Sequence, residues 1–304
     1  MEHSTTTSKH PEDDGILRLE INYIPEYVCE KVDEQLNFSL EEKNKRLLEL
    51  IKLLEGNKLS KRIAFLQDFL QTYLMHSRYD VNTAFTRVRN YLTLFKNHNY
   101  FFQSIKFDFT TLPSCRFITM LPYRCSDGSI TLLYEMGNWN PEEISFEVVK
   151  QLTFMIYLQE LRNPVTQMAG FNAIFDFSNT GLQHLKHCTP YNMYLLNHVS
   201  FDVLPVNYRR YHLINGNMIM NTILTLLKPL MPSAIKKIIR IHSSAEELLD
   251  YFPRSMLPTK YGGNLNEYYM DDRLKQINAQ QDNYPVEGLL IIFNRNQRRK
   301  KSGT

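Results

Sequence analysis

The sequence predicts an α/β protein in which a small all-helical region comes first and a mostly parallel sheet with interleaved helices follows. Apolar residues recur at helical spacing up to about residue 102. From Arg116 onward, short β-type runs alternate with helical segments, which favours parallel strands joined by crossover helices. A third observation is an apolar run of helical length, MIMNTILTLL, inside a basic segment. This run predicts one further helix with cationic surroundings.

The N-terminal part divides into a tail and a helical region. Residues 1–15 are polar and lack apolar periodicity, so we expect a disordered tail. Residues 16–105 carry apolar stripes at helical spacing, and Asp80 is suited to cap the last of these helices. We therefore predict an N-terminal helical domain over residues 16–105.

The region 106–268 is predicted to hold the sheet. RFITMLPYR and SITLLYEMG are short β-type runs joined by a turn, and GFNAIFDFS is apolar enough to be buried on both faces. RRYHLING and KIIRIHS are the remaining predicted strands. Helices are expected to start near Pro141 and at Pro190, because proline is favoured in the first helical turn. Residues 269–304 form a predicted C-terminal extension, whose end is a basic cluster.

The basic segment, residues 203–245, contains six Lys or Arg and no Asp or Glu. At 100° per residue, its apolar run places large side chains on one continuous arc. Two interpretations remain open. The helix belongs to the hydrophobic core, or it covers an apolar cavity while nearby cations meet anionic lipid. The arc consists of Ile219, Met220, Ile223, Leu224, Leu226 and Leu227.

Composition and terminal sequence indicate the cellular setting. The four cysteines have neither paired nor metal-like spacing, which indicates reduced thiols and a cytosolic protein. The N-terminus has no apolar signal-peptide core, and no apolar run reaches the length of about 18 residues that a membrane-spanning helix needs. We therefore expect a cytoplasmic protein whose contact with membranes is transient and peripheral.

Motifs for common enzyme chemistry are missing from the sequence. It contains no G-x-x-x-x-G-K-[ST] loop, no G-x-G-x-x-G and no G-x-S-x-G. His184, His187 and Cys188 could ligate a transition metal, but no second ligand pair is evident, so we favour structural roles. Asp176 follows a predicted strand and is expected to cap the next turn. One basic–aromatic triplet, RRY, is weak support for nucleic-acid binding. We expect a non-enzyme without metal, cofactor or nucleic-acid partner.

Several short motifs occur together in a specific order. The first motif is the helical segment FLQTYLMHSRYDVNTAFTRVRNY, and the second is TQMAGFNAIFDFSNTG. They are followed by D-x-L-P, HLIN and finally Leu257-Pro258-x-x-Tyr261-Gly262-Gly263. In this order and spacing, over about 230 residues, the chain resembles the CRAL-TRIO family of lipid-transfer proteins, to which alpha-tocopherol transfer protein and cellular retinaldehyde-binding protein belong.

The resemblance implies that residues 106–268 are a lipid-binding α/β sandwich with a mobile amphipathic helix, residues 217–228, over an apolar cavity. It implies a bound hydrophobic molecule: tocopherol, a retinoid, another terpenoid or a phospholipid. Thr153 and Tyr157 would supply polar groups that orient this ligand. The full set of expected pocket residues is Thr153, Tyr157, Phe175, Phe177, Leu196, Val199, Leu204, Val206, Met220, Ile223, Leu224 and Leu227.

The resemblance also implies phosphoinositide binding by basic residues around the covering helix. On this basis the expected function is transfer of a small hydrophobic lipid between membranes, with release at phosphoinositide-bearing membranes. The alternative is a signalling adaptor that senses phosphoinositide without net lipid transfer. The expected head-group residues are Arg78, Arg209, Arg210, Lys236, Lys237 and Arg240.

Overall fold

The computed structural model describes residues 16–21, 23–30, 38–61 and 63–281. The predicted tail and residues 282–304 of the predicted extension lie outside the described residues. The α-helices are α1 (Leu40–Gly56), α2 (Gln67–His76), α3 (Val81–Asn97), α4 (Phe146–Glu160), α5 (Pro164–Ala169), α6 (Leu182–Leu185), α7 (Pro190–His198), α8 (Met218–Leu227), α9 (Ser233–Ile238) and α10 (Asp271–Gln281). The strands are β1 (Leu17–Arg18), β2 (Ile118–Met120), β3 (Tyr123–Arg124), β4 (Ile130–Glu135), β5 (Phe171–Asp176), β6 (Tyr208–Ile214) and β7 (Ile239–Ile241).

The fold is α/β with a mostly parallel sheet, so the predicted fold class is confirmed. In the described part of the chain, five strands pair in the order β2-β4-β5-β6-β7. β2 is antiparallel to β4, and the other neighbours are parallel. β4 is buried along its whole length, as the apolar sequence ITLL requires of a strand covered on both faces. β1 and β3 pair separately as a short antiparallel ladder.

Side-chain caps and apolar stripes coincide at α1 and α3. Ser39 and Glu42 make a capping box at α1. The carboxylate of Asp80 accepts a hydrogen bond from the Thr83 N–H, so Asp80 caps α3 as predicted. The buried stripes of these helices are continuous with the core below the sheet, through Phe102 and Phe154, whose rings are 5.1 Å apart. The division of the chain near residue 105 stays a prediction.

One of the two predicted helix starts is displaced, and the other helix changes its winding near its end. α4 starts at Phe146 rather than near Pro141, because the Ser145 hydroxyl accepts from the Val148 N–H and caps the helix there. α7 starts at Pro190 as predicted, but it ends at His198 and continues as a wider π-helical turn over Val199–Val203. This turn matters for the site, because it changes which side chains of the segment face inward.

The described part of the predicted C-terminal extension, residues 269–281, is mostly helical. α10 buries Leu274 and Ile277 and packs against α4. Arg273 donates hydrogen bonds to Glu160 at 3.1 Å and to Glu20 at 2.9 Å, so it links α10 to α4 and to the N-terminal segment. No helix in the described ranges has both the length and the apolar character needed to cross a bilayer.

Candidate functional site

A cavity lies between one face of the sheet and a layer of helices. The cavity has a volume of about 200 Å³ when it is measured with a water-sized sphere. One water molecule needs only about 10–15 Å³ by the same measure. The cavity is therefore large enough for an organic molecule. The lining residues are Phe117, Tyr134, Met136, Trp139, Phe146, Val149, Thr153, Tyr157, Phe175, Phe177, Thr180, His184, His187, Cys188, Met193, Leu196, Asn197, Ser200, Phe201, Tyr211, Leu213, Ile219, Ile223, Leu224, Leu227, Met231 and Ile239.

The sheet supplies the floor of the cavity through the alternation of its side chains. Tyr134 of β4, Phe175 of β5 and Leu213 of β6 lie side by side in the parallel register. Residues that are paired across adjacent strands point to the same face of the sheet, so these three side chains lie on one face. The rings of Tyr134 and Phe175 stack at 4.4 Å. Tyr211 and Ile239, which are also in register, extend the floor to the edge strand β7.

Two helices supply the walls. Val149, Thr153 and Tyr157 recur every four residues along α4 and so share one face of that helix. Leu196 and Asn197 contribute from α7. The predicted polar residues Thr153 and Tyr157 are both in the wall, and the Tyr134 hydroxyl donates to the Tyr157 hydroxyl at 3.1 Å.

α8 is the roof, which decides between the two interpretations of the apolar run. Ile219, Ile223, Leu224 and Leu227 line the cavity from above. Asn217 fixes the start of this helix: its side-chain oxygen accepts from two N–H groups of the first turn, and its amide nitrogen donates to the loop after β5. Four of the six side chains of the apolar arc therefore face the cavity, and the other two, Met220 and Leu226, pack against hydrophobic core residues.

Four of the expected lining residues are not in the cavity wall. Met220 packs beside it against Phe177 and Leu213, and the end of its side chain lies over Gly216. Val199, Leu204 and Val206 are buried in the main core, because in the π-helical turn after α7 it is Ser200 and Phe201 that line the cavity, and not Val199. The remaining expected residues, Thr153, Tyr157, Phe175, Phe177, Leu196, Ile223, Leu224 and Leu227, all line it.

Several lining residues were not predicted from the sequence, although some of them lie in predicted strands. Tyr134, Tyr211 and Leu213 each lie in predicted strands, but parity names a face only when the register between strands is known. Trp139 and Phe146 come from the turn before α4 and from its first residue, where no periodic pattern existed.

In the part of the chain that the structure describes, no Asp, Glu, Lys or Arg lines the cavity. Burial raises the pKa of Tyr157 and of Tyr211 well above the usual tyrosine value, so both phenols are neutral hydrogen-bonding groups at neutral pH. His184 is held by backbone on both sides: one ring nitrogen accepts from Gly181 N–H, and the other lies 2.9 Å from the Trp139 carbonyl oxygen.

The turn after β5 is organised by a carboxylate. Asp176 accepts a hydrogen bond from the Ser178 N–H at 2.8 Å, and this confirms its predicted capping role. It also accepts from the Asn215 amide at 2.8 Å and from the Tyr261 hydroxyl at 2.7 Å. These bonds join the ends of β5 and β6 to the segment that contains the Tyr-Gly-Gly motif, and they place Asp176 outside the cavity wall.

The predicted basic residues fall into separate environments. Lys236 and Lys237 are exposed in the last turn of α9, directly after the roof. Arg240 and Arg210 are exposed on neighbouring strands. Both alternate with cavity-lining residues, so both lie on the sheet face away from the cavity. Arg78 is exposed at the connection between α2 and α3, where its φ is 50°.

Arg209 has a structural role in addition to its predicted one. It is half-buried, and its guanidinium donates to the carbonyl of Met168 at 3.2 Å and to that of Ala169. These carbonyls end α5 and would otherwise lack partners, so Arg209 caps that helix. Hydrogen bonds to backbone therefore occupy two of its nitrogens, and its role at a head group stays a prediction.

Comparison with known proteins gives a family for the region around the cavity. Residues 116–263 match the family model of the CRAL/TRIO domain. Alpha-tocopherol transfer protein-like from Homo sapiens is 22% identical over 201 residues, which is 66% of this chain and 59% of that protein. Clavesin-1 from Rattus norvegicus is 26% identical over 144 residues, 47% of this chain and 41% of that protein. This chain thus spans less than two thirds of the length of these relatives. The crystal structure of Sfh5 aligns with 87% of this chain and 99% of its own, at 9% identity and a TM-score of 0.48.

Proposed function

From the membership of residues 116–263 in the CRAL/TRIO family, we propose that this protein binds one hydrophobic lipid molecule in the cavity and transfers it between membranes. The observation that carries the proposal is the cavity itself: a mostly apolar space without Asp, Glu, Lys or Arg in its described lining, covered on one side by an amphipathic helix. Such a space suits a molecule that water dissolves poorly, since nearly all of the ligand surface would leave water on binding.

The roof gives the proposal a physical mechanism. If α8 swung open in water, exposing the buried side chains of Ile219 and Leu224 would cost about 1.5–3 kcal/mol each, and exposing the half-buried Ile223 and Leu227 would cost about half as much each, about 5–9 kcal/mol together. At a bilayer the same side chains would enter the acyl region, so the cost of opening would be largely removed. Opening would therefore be coupled to arrival at a membrane, and this chain would release its ligand there and not in water.

We further propose that phosphoinositide-bearing membranes are the site of release. Lys236 and Lys237 are exposed and follow the roof in the chain, and Arg240 comes next. Each basic group near an anionic leaflet gains about 1 kcal/mol. Arg78 and Arg210 are exposed as well and remain proposed contributors. Membrane contact would then be transient, because it depends on a few surface charges and on a helix that can close again.

Mass spectrometry tests the proposal directly. The purified protein would be incubated with vesicles of a total cell-lipid extract, reisolated and extracted into organic solvent. We expect close to one lipid molecule per protein, and we expect that molecule to appear in empty acceptor vesicles when the loaded protein is added. Recovery of no lipid would overturn the proposal. Stoichiometric lipid that never reaches acceptor vesicles would favour the adaptor function, in which a cavity lipid is structural.

A further inference from the structure

The N-terminal helices are bonded to the cavity wall through α3. Nη1 of Arg87 donates to the Phe201 carbonyl at 2.6 Å, although 114 positions separate the two residues in sequence. Nδ2 of Asn90 donates to the neighbouring Asp202 carbonyl at 3.3 Å. Phe201 belongs to the described lining of the cavity, whereas Arg87 is not part of that lining. An arginine of the helical region therefore contacts the backbone of the wall without reaching the cavity.

Both carbonyls belong to the π-helical turn Val199–Val203, which follows α7. A hydrogen bond from the Leu204 N–H to the Val199 carbonyl closes this turn at 3.0 Å. The last carbonyls of a helix have no partner within it, so Arg87 and Asn90 cap the turn with their side chains. Burial lowers the pKa of Arg87, yet a guanidinium stays charged at neutral pH. The helix dipole favours such a cation at the C-terminal end.

The winding of this turn decides which of its side chains face the cavity. Ser200 and Phe201 line the cavity, whereas Val199 and Val203 are buried in the main core. A π-helical turn is wider than an α-helical turn, so rewinding it to the α form would point these side chains in other directions. Such turns are rare and frequently occur at functional sites. Contacts that hold the π-helical winding therefore hold the shape of the wall.

We propose that Arg87 is a positioning residue for lipid binding, because it holds the π-helical turn in the winding that places Ser200 and Phe201 in the cavity wall. The proposal rests on the carrier function proposed above, and it makes the N-terminal helices part of the ligand site. Since Arg87 is outside the described lining, its loss should alter binding through Phe201 and not through a contact with the ligand.

Lipid loading at equilibrium tests the role of Arg87. Each variant would be incubated with increasing amounts of vesicles made from a total cell-lipid extract, reisolated and analysed by mass spectrometry. We expect Arg87→Met to need about tenfold more vesicle lipid for half-loading, as the loss of one hydrogen bond from a charged donor predicts. Arg87→Lys keeps a charged donor and should restore most of the loading. Arg89→Met, at an exposed position of α3, should load as wild type does.

A double-mutant cycle with Phe201→Ala separates positioning from a general loss of stability. Phe201→Ala removes the side chain through which Arg87 is expected to act. Adding Arg87→Met to it should therefore weaken loading by less than a further factor of about two, whereas two independent effects would multiply. Equal loading of wild type and Arg87→Met, or multiplied effects in the cycle, overturns the positioning role and leaves the carrier function standing. Recovery of no lipid from wild type overturns both.

Hydrogen exchange examines the turn without any ligand. Amides of residues 199–204 should exchange faster in Arg87→Met than in wild type, while amides elsewhere keep their rates. Unchanged exchange over these residues, or an equal rise over the whole chain, contradicts a local role of Arg87. If Arg87→Met does not fold, Arg87→Gln, which is shorter and uncharged but still polar, replaces it in all three comparisons.

Discussion

Charge reversal at Lys236 and Lys237 would separate membrane delivery from ligand binding. Both side chains are exposed in the last turn of α9, and neither lines the cavity. The double variant Lys236→Glu and Lys237→Glu should therefore leave ligand affinity unchanged. What it removes is attraction between the protein and an anionic leaflet at the place where the roof would open.

The size of the effect follows from the number of charges. At about 1 kcal/mol for each basic group at an anionic surface, loss of two positive charges costs about 2 kcal/mol, and two new negative charges add a repulsion of about 2 kcal/mol. The total of about 4 kcal/mol corresponds to a decrease on the order of 10³-fold in partition onto anionic vesicles at low salt. Salt should narrow the difference, because exposed charges are screened beyond about 10 Å at 0.1 M ionic strength.

A vesicle transfer assay measures this effect. Protein loaded with cell lipid would be mixed with acceptor vesicles of neutral lipid, or of neutral lipid with a few per cent phosphoinositide, and the lipid delivered would be followed over time. Wild type should deliver faster to the anionic acceptors, and the double variant should lose that advantage. The matched control is Lys45→Glu with Lys52→Glu on α1, which changes net charge equally. Equal slowing by both pairs, or no slowing by the first, would refute the coupling of the α9 lysines to release.

Three further predictions concern the stability of the fold and the role of Arg209. Burial, with the help of neighbouring positive groups, lowers the pKa of His212 to about 3 in the folded protein, whereas the pKa is about 6.5 in the unfolded chain. As the pH falls, only the unfolded chain takes up this proton. The free energy of unfolding should therefore drop by about 2 kcal/mol between pH 6.5 and pH 5. Urea midpoints at pH 7 and 5 should therefore differ less for His212→Gln than for wild type; an equal difference would exclude this histidine as the cause. Gly170→Ala should lower stability by about 2–3 kcal/mol, because φ is 85° and a Cβ would collide with the Asn207 carbonyl, as thermal unfolding can check. Arg209→Gln should reduce thermal stability, because it removes the hydrogen bonds to the Met168 and Ala169 carbonyls. It should keep the phosphoinositide dependence of transfer, and a selective loss of that dependence would show that Arg209 binds the head group.

Much of the fold follows from local patterns in the sequence. Helical spacing of apolar residues and the caps at Ser39 and Asp80 specify the N-terminal helices, because both effects act within a few residues of the chain. Alternation of strand and helix predicts the parallel sheet, because a crossover helix between two strands lets them run in the same direction. The arc of α8 also follows from spacing alone, since a helix fixes the relative direction of its own side chains.

The site depends on relations between distant segments, and these the sequence left open. Tyr134, Phe175 and Leu213 form one floor only because three strands align in a particular register, and a shift by one residue would have turned each side chain to the opposite face. The alternatives for α8, core helix or roof, differ in what lies beneath it, which periodicity does not encode. Arg209 has the same charge as its exposed neighbour, but its guanidinium meets the end of α5. Local geometry is set by backbone sterics and spacing, whereas cavity walls and hydrogen-bond partners are set by where separate elements pack, so only the tertiary structure decided them.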